Sequence, residues 1–125
     1  MHLILKDISG PLPTSIYELV EGNNRVGKLQ LRHSPSKSDA FPEGFENYIY
    51  YEIYPDFRKQ GYGKKILELG LEEAKKIGLK EVVLTCTEEN IASQKIMEAN
   101  SGVFLDKQIS SDGEMIRKYK IALTL

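Results

Sequence analysis

The sequence holds one cysteine, Cys86, no tryptophan and two histidines, His2 and His33. A lone thiol cannot close an intrachain disulfide or build a cysteine-based zinc site, and it fits a reducing compartment. Neither histidine sits near Cys86 in sequence, so a Cys-His nucleophile has no local support and a buried structural thiol is the simpler reading. The histidines and scattered carboxylates show no metal-ligand spacing. Long hydrophobic runs are also missing. No stretch approaches the ~20 apolar residues of a membrane span, and the apolar start of MHLILKDISG is too short for a secretion signal. Charge is balanced, with 17 Lys and Arg against 18 Asp and Glu, formally −1. General nucleic-acid binding usually draws on a basic excess that this chain lacks. Without repeats, low-complexity segments or linkers, residues 1–125 read as a single cytoplasmic domain large enough for a hydrophobic core.

What the chain does contain alternates between two periods. Residues 1–8 read as a short strand stopped by Gly10-Pro11 and Pro13. SIYELVE (15–21) and VGKLQLR (26–32) alternate around the turn Gly22-Asn23-Asn24, which predicts a β-hairpin. Residues 33–44, rich in Ser, Pro, Lys and Asp, read as a long exposed loop. YIYYEIY (48–54) has strong strand character and ends at Pro55. From Gly63 the period changes: Ile66, Leu67, Gly70, Leu71, Ala74 and Ile77 recur at three and four, which marks an amphipathic helix. Gly78 closes it, with Lys75 and Lys76 in the last turn where they suit the helix dipole. Residues 81–85 predict a short buried strand and 91–100 a second helix closed near Gly102. Two more strands, 103–109 and 115–123, are joined by a turn at 110–113. The order β-β-β-β-α-β-α-β-β implies an α/β (α+β) fold with a mixed, mostly antiparallel central sheet and two main helices. Its centre is a strand-helix-strand crossover.

The stretch between that strand and helix, PDFRKQGYGK (55–64), carries the chemistry. Backbone N–H groups at a helix start lack internal partners and favour negative charge. Gly61 and Gly63 let the chain curl and a diphosphate approach, while Arg58, Lys59 and Lys64 add positive charge. Two phosphate-loop spacings fail: Gly63-Lys64 is followed by Lys65 and preceded at position 58 by Arg, and Gly61-x-Gly63 is followed by Ile66. On the loop alone, an anion cradle and a glycine-rich helix start with solvated lysines both remain open.

The flanking residues favour the cradle. Ile53, Pro55, Arg58, Gly61 and Gly63 together resemble motif A of the GNAT superfamily, the acetyl-CoA-dependent N-acetyltransferases. Asn90 and Ser93, with Gly102 and Phe104 beyond, resemble its motif B region, so the likeness runs from about Tyr48 to Phe104. The resemblance implies a GNAT-like sheet whose central strand pair splays to admit acetyl-CoA or coenzyme A. It implies that backbone groups around Ile53 and Tyr54 pair with the pantetheine arm and hold the acetyl carbonyl. The N–H groups of Arg58, Lys59, Gln60, Gly61, Tyr62, Gly63 and Lys64 would hold the pyrophosphate, and Asn90, Ser93 and Lys95 would lie along the cofactor. A helix cap for Asn90 and a solvated charge for Lys95 are the alternatives. The implied reaction is direct acetyl transfer to a primary amine, on a small molecule or a protein, in a ternary complex.

The sequence departs from the family in two places. Many members carry a tyrosine seven residues after the motif B asparagine, where it can protonate the leaving sulfur; that position is Met97. The usual helices between the first two strands are also missing, since only residues 9–14 separate them, which makes a compact member with a more open acceptor side. Residues 33–44 could serve as a substitute lid. Glu52 is the leading candidate for a general base, with a plain surface carboxylate as the alternative. Tyr50 is the accompanying candidate for catalysis, and it and Tyr54 can line the acceptor pocket or simply pack. Met97 and the shortened front keep alive a non-catalytic or weakly active acyl-CoA sensor or interaction module. Exposed sheet edges allow a homodimer without requiring one.

Overall fold

Alternation in the first half of the chain becomes a four-stranded antiparallel meander in the computed structural model, which describes residues 1–9, 13–36 and 39–123. Strands β1 (His2–Ser9), β2 (Thr14–Glu21), β3 (Asn24–Ser36) and β4 (Asn47–Ile53) lie in sequence order. Gly22, at φ +59, supplies the left-handed position of the tight turn between β2 and β3. Gly10 and Pro11, read as the stop after the first strand, lie outside the described residues, as do positions 37 and 38 of the expected loop. β1 pairs directly with β2, in keeping with the short connection between them.

The expected exposed loop over 33–44 is shorter than its composition suggests, because β3 continues to Ser36. The His33 N–H donates to the Pro13 carbonyl at 3.0 Å, and its ring nitrogen Nε2 meets Ser15 Oγ at 2.8 Å. The rest of the connection to β4 is anchored, with Phe45 buried and the Ser111 N–H donating to the Ala40 carbonyl at 2.8 Å. Polar composition hid these backbone partners.

The second half contains α1 (Tyr62–Lys76), β5 (Glu81–Thr87), α2 (Ile91–Ala99), β6 (Val103–Ile109) and β7 (Met115–Ala122), with β7 in the middle of an antiparallel β5-β7-β6 sheet. β5 runs two residues past its expected end, because Cys86 and Thr87 still pair with Arg117 and Ile116. Five of the six residues of the stripe expected for the first helix are buried, Ile66, Leu67, Gly70, Leu71 and Ala74; the sixth, Ile77, caps the helix and is exposed. It packs with Leu29, Leu31, Ile49, Val82, Leu84, Tyr119 and Ile121 in one cluster that joins both sheets. Burying each large aliphatic side chain stabilises by about 1.5–3 kcal/mol. Gly70 sits close to β3, since a Cβ there would stand 2.5 Å from Leu29 Cδ1. No helix among the described residues is long and apolar enough to cross a membrane.

The two sheets meet at β4 and β5, which lie in contact but belong to separate hydrogen-bonded sheets. The α1 crossover carries the chain back so that β5 lies against β4, and the contacts of β4 across the gap pass from β5 to α2. Asn47 meets Thr85 at the start of β4, and Tyr51 meets Ser93 further on. This is the splayed strand pair. It leaves one edge of β4 without a strand partner over most of its length.

Candidate active site

The free edge of β4 can be read from its pairing with β3. Tyr54 donates its N–H to the Val26 carbonyl at 2.9 Å, and Ile53, Tyr51 and Ile49 stand opposite Gly27, Leu29 and Leu31. Peptide groups alternate along an antiparallel strand. Those of Tyr50, Glu52 and Tyr54 therefore face β3, while those of Tyr51 and Ile53 face the gap toward β5. Gly27 makes this close pairing feasible: a Cβ there would stand 2.5 Å from the Glu52 carbonyl oxygen. The expectation for Tyr54 needs correcting on this ground, because its N–H is engaged by β3 and cannot hold an acetyl carbonyl.

Beyond β4, Pro55–Phe57 form one 3-10 turn. Arg58 then folds back, its Nε donating to the Ile53 carbonyl at 2.9 Å. Lys59 at φ 62 and Gly61 at φ 84 both adopt the left-handed region, and such alternation gathers successive N–H groups into a concavity suited to an anion. Gly61 caps α1 with no side chain closing the end. The first helical bond runs from the Lys65 N–H to the Gly61 carbonyl. Among the described residues, the N–H groups of Lys59 to Lys64 donate to nothing. Gly63 has a packing task as well: a Cβ there would meet Ile96 Cδ1 at 2.5 Å, so it lets α2 approach α1.

The opposite wall is α2. Asn90 caps it, its Oδ1 accepting from the Ser93 N–H at 3.0 Å, which leaves the amide Nδ2 as a donor. Ser93 Oγ and the Tyr51 hydroxyl lie 3.1 Å apart across the gap. Burial pushes the Tyr51 phenol up from its ordinary value, against a smaller opposing effect of the Ser93 hydrogen bond. Burial also raises the Cys86 thiol, opposed by the charge of Arg117 and a hydrogen bond with Ser93. Met97 closes the wall one turn beyond Ser93 and is only 1 % exposed. Asn100 ties the end of α2 to the first turn of α1, donating Nδ2 to the Lys64 carbonyl at 3.2 Å.

These surfaces enclose a cleft of about 1110 Å³, at the upper end of ordinary small-molecule sites. Among the described residues, Arg32, Arg58, Lys59, Lys64 and Lys95 line it against one carboxylate, that of Glu52, so a chain of net charge −1 concentrates cations here. Of the residues singled out in the sequence, Tyr50, Glu52, Ile53, Arg58, Lys59, Gly61, Tyr62, Gly63, Lys64, Asn90, Ser93 and Lys95 all reach this cleft. Tyr54 and Gln60 do not line it; Gln60 turns back, its Nε2 reaching the Asp56 carbonyl at 3.4 Å. The sequence reading missed Tyr51, Asn47, Arg32 and the cleft-side position of Cys86. For Tyr51 a signal existed, since alternation in YIYYEIY puts it on the same face as Ile49 and Ile53.

The fold fits a group of known proteins. The chain superposes on a variant of the spermidine N-acetyltransferase SpeG from Vibrio cholerae with a TM-score of 0.69 at 12% identity, covering 88% of this chain and 66% of that one. It also matches yncA from Salmonella typhimurium, solved with its cofactor acetyl-CoA, with a TM-score of 0.62 at 17% identity, covering 90% and 65%. RimL, a ribosomal alpha-N-protein acetyltransferase in complex with coenzyme A, gives 0.66 at 17% identity, covering 87% and 62%. These likenesses are of fold, and the chain spans about two thirds of the length of these structures. No curated protein matches the chain at a significant level. The model of the acetyltransferase (GNAT) family matches residues 3–102, a span that holds the splayed strands, the α1 loop and all of α2, and the chain belongs to that family.

Proposed function

We propose that this chain transfers an acetyl group from acetyl-CoA to a primary amine by direct attack in a ternary complex. One observation carries the reading: the consecutive N–H groups of Lys59 to Lys64, at the head of α1, have no partner among the described residues and lie beside a cationic cleft between unladdered strands. Helix starts of this kind favour phosphate. The donor set fits a diphosphate with an extended arm: loop N–H groups at one end, then the Ile53 N–H and the Tyr51 peptide along β4, then Asn90 on the facing helix.

The remaining residues support the chemistry. The N–H of Ile53 points into the gap, where it can donate to the oxygen that gains charge as the amine attacks. Glu52 and Tyr50 lie on the other face of β4 and still line the cleft, so the amine approaches from their side. Glu52 takes the amine proton, directly or through water. The acceptor is a small amine or a protein amine.

A second reading, an acyl-CoA sensor with little turnover, draws on the buried, protonless Met97. Titration with acetyl-CoA and CoA, followed by an acetyl-transfer assay across a panel of amines, separates the two. Binding with transfer supports the enzyme, binding without transfer across the panel supports the sensor, and no binding at millimolar CoA defeats both.

A further inference from the structure

We propose that Tyr51 is the proton donor to the departing sulfur, its hydroxyl held at the inner wall of the cleft by Ser93. This rests on the acetyl-transfer reading above. The anion cradle at the head of α1 and the Glu52 face of β4 mark the two ends of a bound donor. The thioester must lie between them along the free β4 edge. Tyr51 borders that stretch, one residue before Glu52 along β4, and its phenol reaches across the gap to α2, 3.1 Å from Ser93 Oγ.

Other hydroxyl and thiol groups in the cleft suit the task less. Tyr50 is 55% exposed and belongs to the opposite face of β4. Tyr62 stands at the mouth, edge-on to Phe57 with ring centroids 6.3 Å apart. The Ser93 hydroxyl is too weak an acid to deliver a proton itself, and Cys86 is a poor hydrogen-bond donor set on the β5 side. Burial keeps the Tyr51 phenol protonated well into the alkaline range, as an acid must be before it acts. Met97, one turn beyond Ser93, offers no acidic proton at its own place on the wall, and the ammonium of Lys95 is a flexible, solvent-reaching charge rather than a group fixed by a partner on the facing strand.

In the step itself, the amine nitrogen bonds to the carbonyl carbon and the C–S bond breaks with its electron pair left on sulfur. The Tyr51 hydroxyl proton passes to that sulfur, giving the neutral thiol of CoA. Glu52 has already taken the proton of the ammonium form, and the proton that the nitrogen sheds on becoming an amide goes to solvent. Tyr51 regains a proton from solvent through Ser93 Oγ once product leaves, and Glu52 returns its proton to solvent, so the cycle balances.

The test compares wild type with Tyr51→Phe, Ser93→Ala and Cys86→Ala. Tyr51→Phe should lower kcat by about 10²-fold or more, change the KM for acetyl-CoA far less, and abolish the fall in rate that wild type shows at alkaline pH. Ser93→Ala removes the same hydrogen bond but keeps the phenol, so it should lose less rate and retain the alkaline fall. A readout independent of turnover is the thiolate absorbance of bound CoA against desulfo-CoA. The bound thiol should ionise at lower pH in wild type than in Tyr51→Phe, because a neutral phenol donates to the thiolate. An unchanged thiol titration, an alkaline fall that persists in Tyr51→Phe, or its loss in Cys86→Ala instead would overturn the assignment. Equal rate losses in Tyr51→Phe and Ser93→Ala would also overturn it, by reducing Tyr51 to a brace. If wild type transfers acetyl while Tyr51→Phe matches it, only the proton donor falls. If wild type neither binds CoA nor transfers, the acetyl-transfer reading falls and takes this one with it.

Discussion

Asn47 and Thr85 join the two sheets at the point from which β4 and β5 part. The Asn47 Oδ1 accepts from the Thr85 N–H at 2.7 Å, and its Nδ2 donates to Thr85 Oγ1. A side-chain amide thereby does at one position what a ladder of backbone bonds would do along a whole strand. It satisfies the β5 edge while leaving the rest of the gap open.

Asn47→Ala should therefore cost about 1–3 kcal/mol, the usual penalty when a buried N–H loses its acceptor. It should also loosen the strand pair and weaken CoA binding. Chemical denaturation and CoA titration check the two effects together. Asn47→Asp keeps the acceptor for the Thr85 N–H and should recover part of the stability, whereas equal losses in both variants would show that the backbone bond matters little.

Gly61 has open space around its absent side chain, with nothing within 4 Å of a built Cβ, so its requirement is conformational. Its φ of +84 costs an L-residue about 1–2 kcal/mol. Gly61→Val should distort the loop and cut CoA affinity sharply with the core intact. Gly61→Asn, a residue that tolerates this region, should lose much less. Calorimetric titration of both variants checks the order, and equal affinities would remove the anion-cradle assignment.

Much of the fold was legible because its periods were clean. The α1 stripe predicted the buried face of that helix apart from Ile77, and the alternation in β2 and β3 and the strand character of β4 predicted that these segments are strands. The loop from Arg58 to Lys64 was legible as a possible cradle because glycine and cations mark such sites locally. What stayed hidden depends on pairing across the fold. Tyr54 looked available until the Val26 carbonyl took its N–H, and nothing near Gly63 in sequence announced that Ile96 would pack against it. Tyr51 and Asn47 acquire their meaning from Ser93 and Thr85, residues 42 and 38 positions away, and no local spacing encodes those partners.

Glu52 stands opposite Lys28 on β3 and lines the cleft. If it removes the amine proton, Glu52→Gln should lower kcat/KM strongly at neutral pH and far less at high pH, where the amine is already free of that proton. A pH–rate profile of both proteins checks this. An equal loss at every pH would assign Glu52 a structural role.

Two buried acids, Tyr17 and Cys86, and the partly buried Tyr51 should weaken the fold at alkaline pH. Burial raises the Tyr51 phenol and the Cys86 thiol, and it raises the Tyr17 phenol with nearby Glu73 adding to the effect. Their ordinary values are 10.0 for the phenols and 9.0 for the thiol. Below those values native and unfolded chains hold the same protons, so these groups make stability independent of pH. Above them the unfolded chain releases protons that the native one keeps, and stability falls as pH rises. Tm should thus stay level through neutrality, begin to fall near the thiol value and fall more steeply past the phenol value. Cys86→Ala should delay the onset toward the phenol range even though removing the thiol lowers Tm throughout. Scanning Tm against pH for the two proteins decides it: a decline that begins at the same pH in both would show that Cys86 is not among the groups responsible.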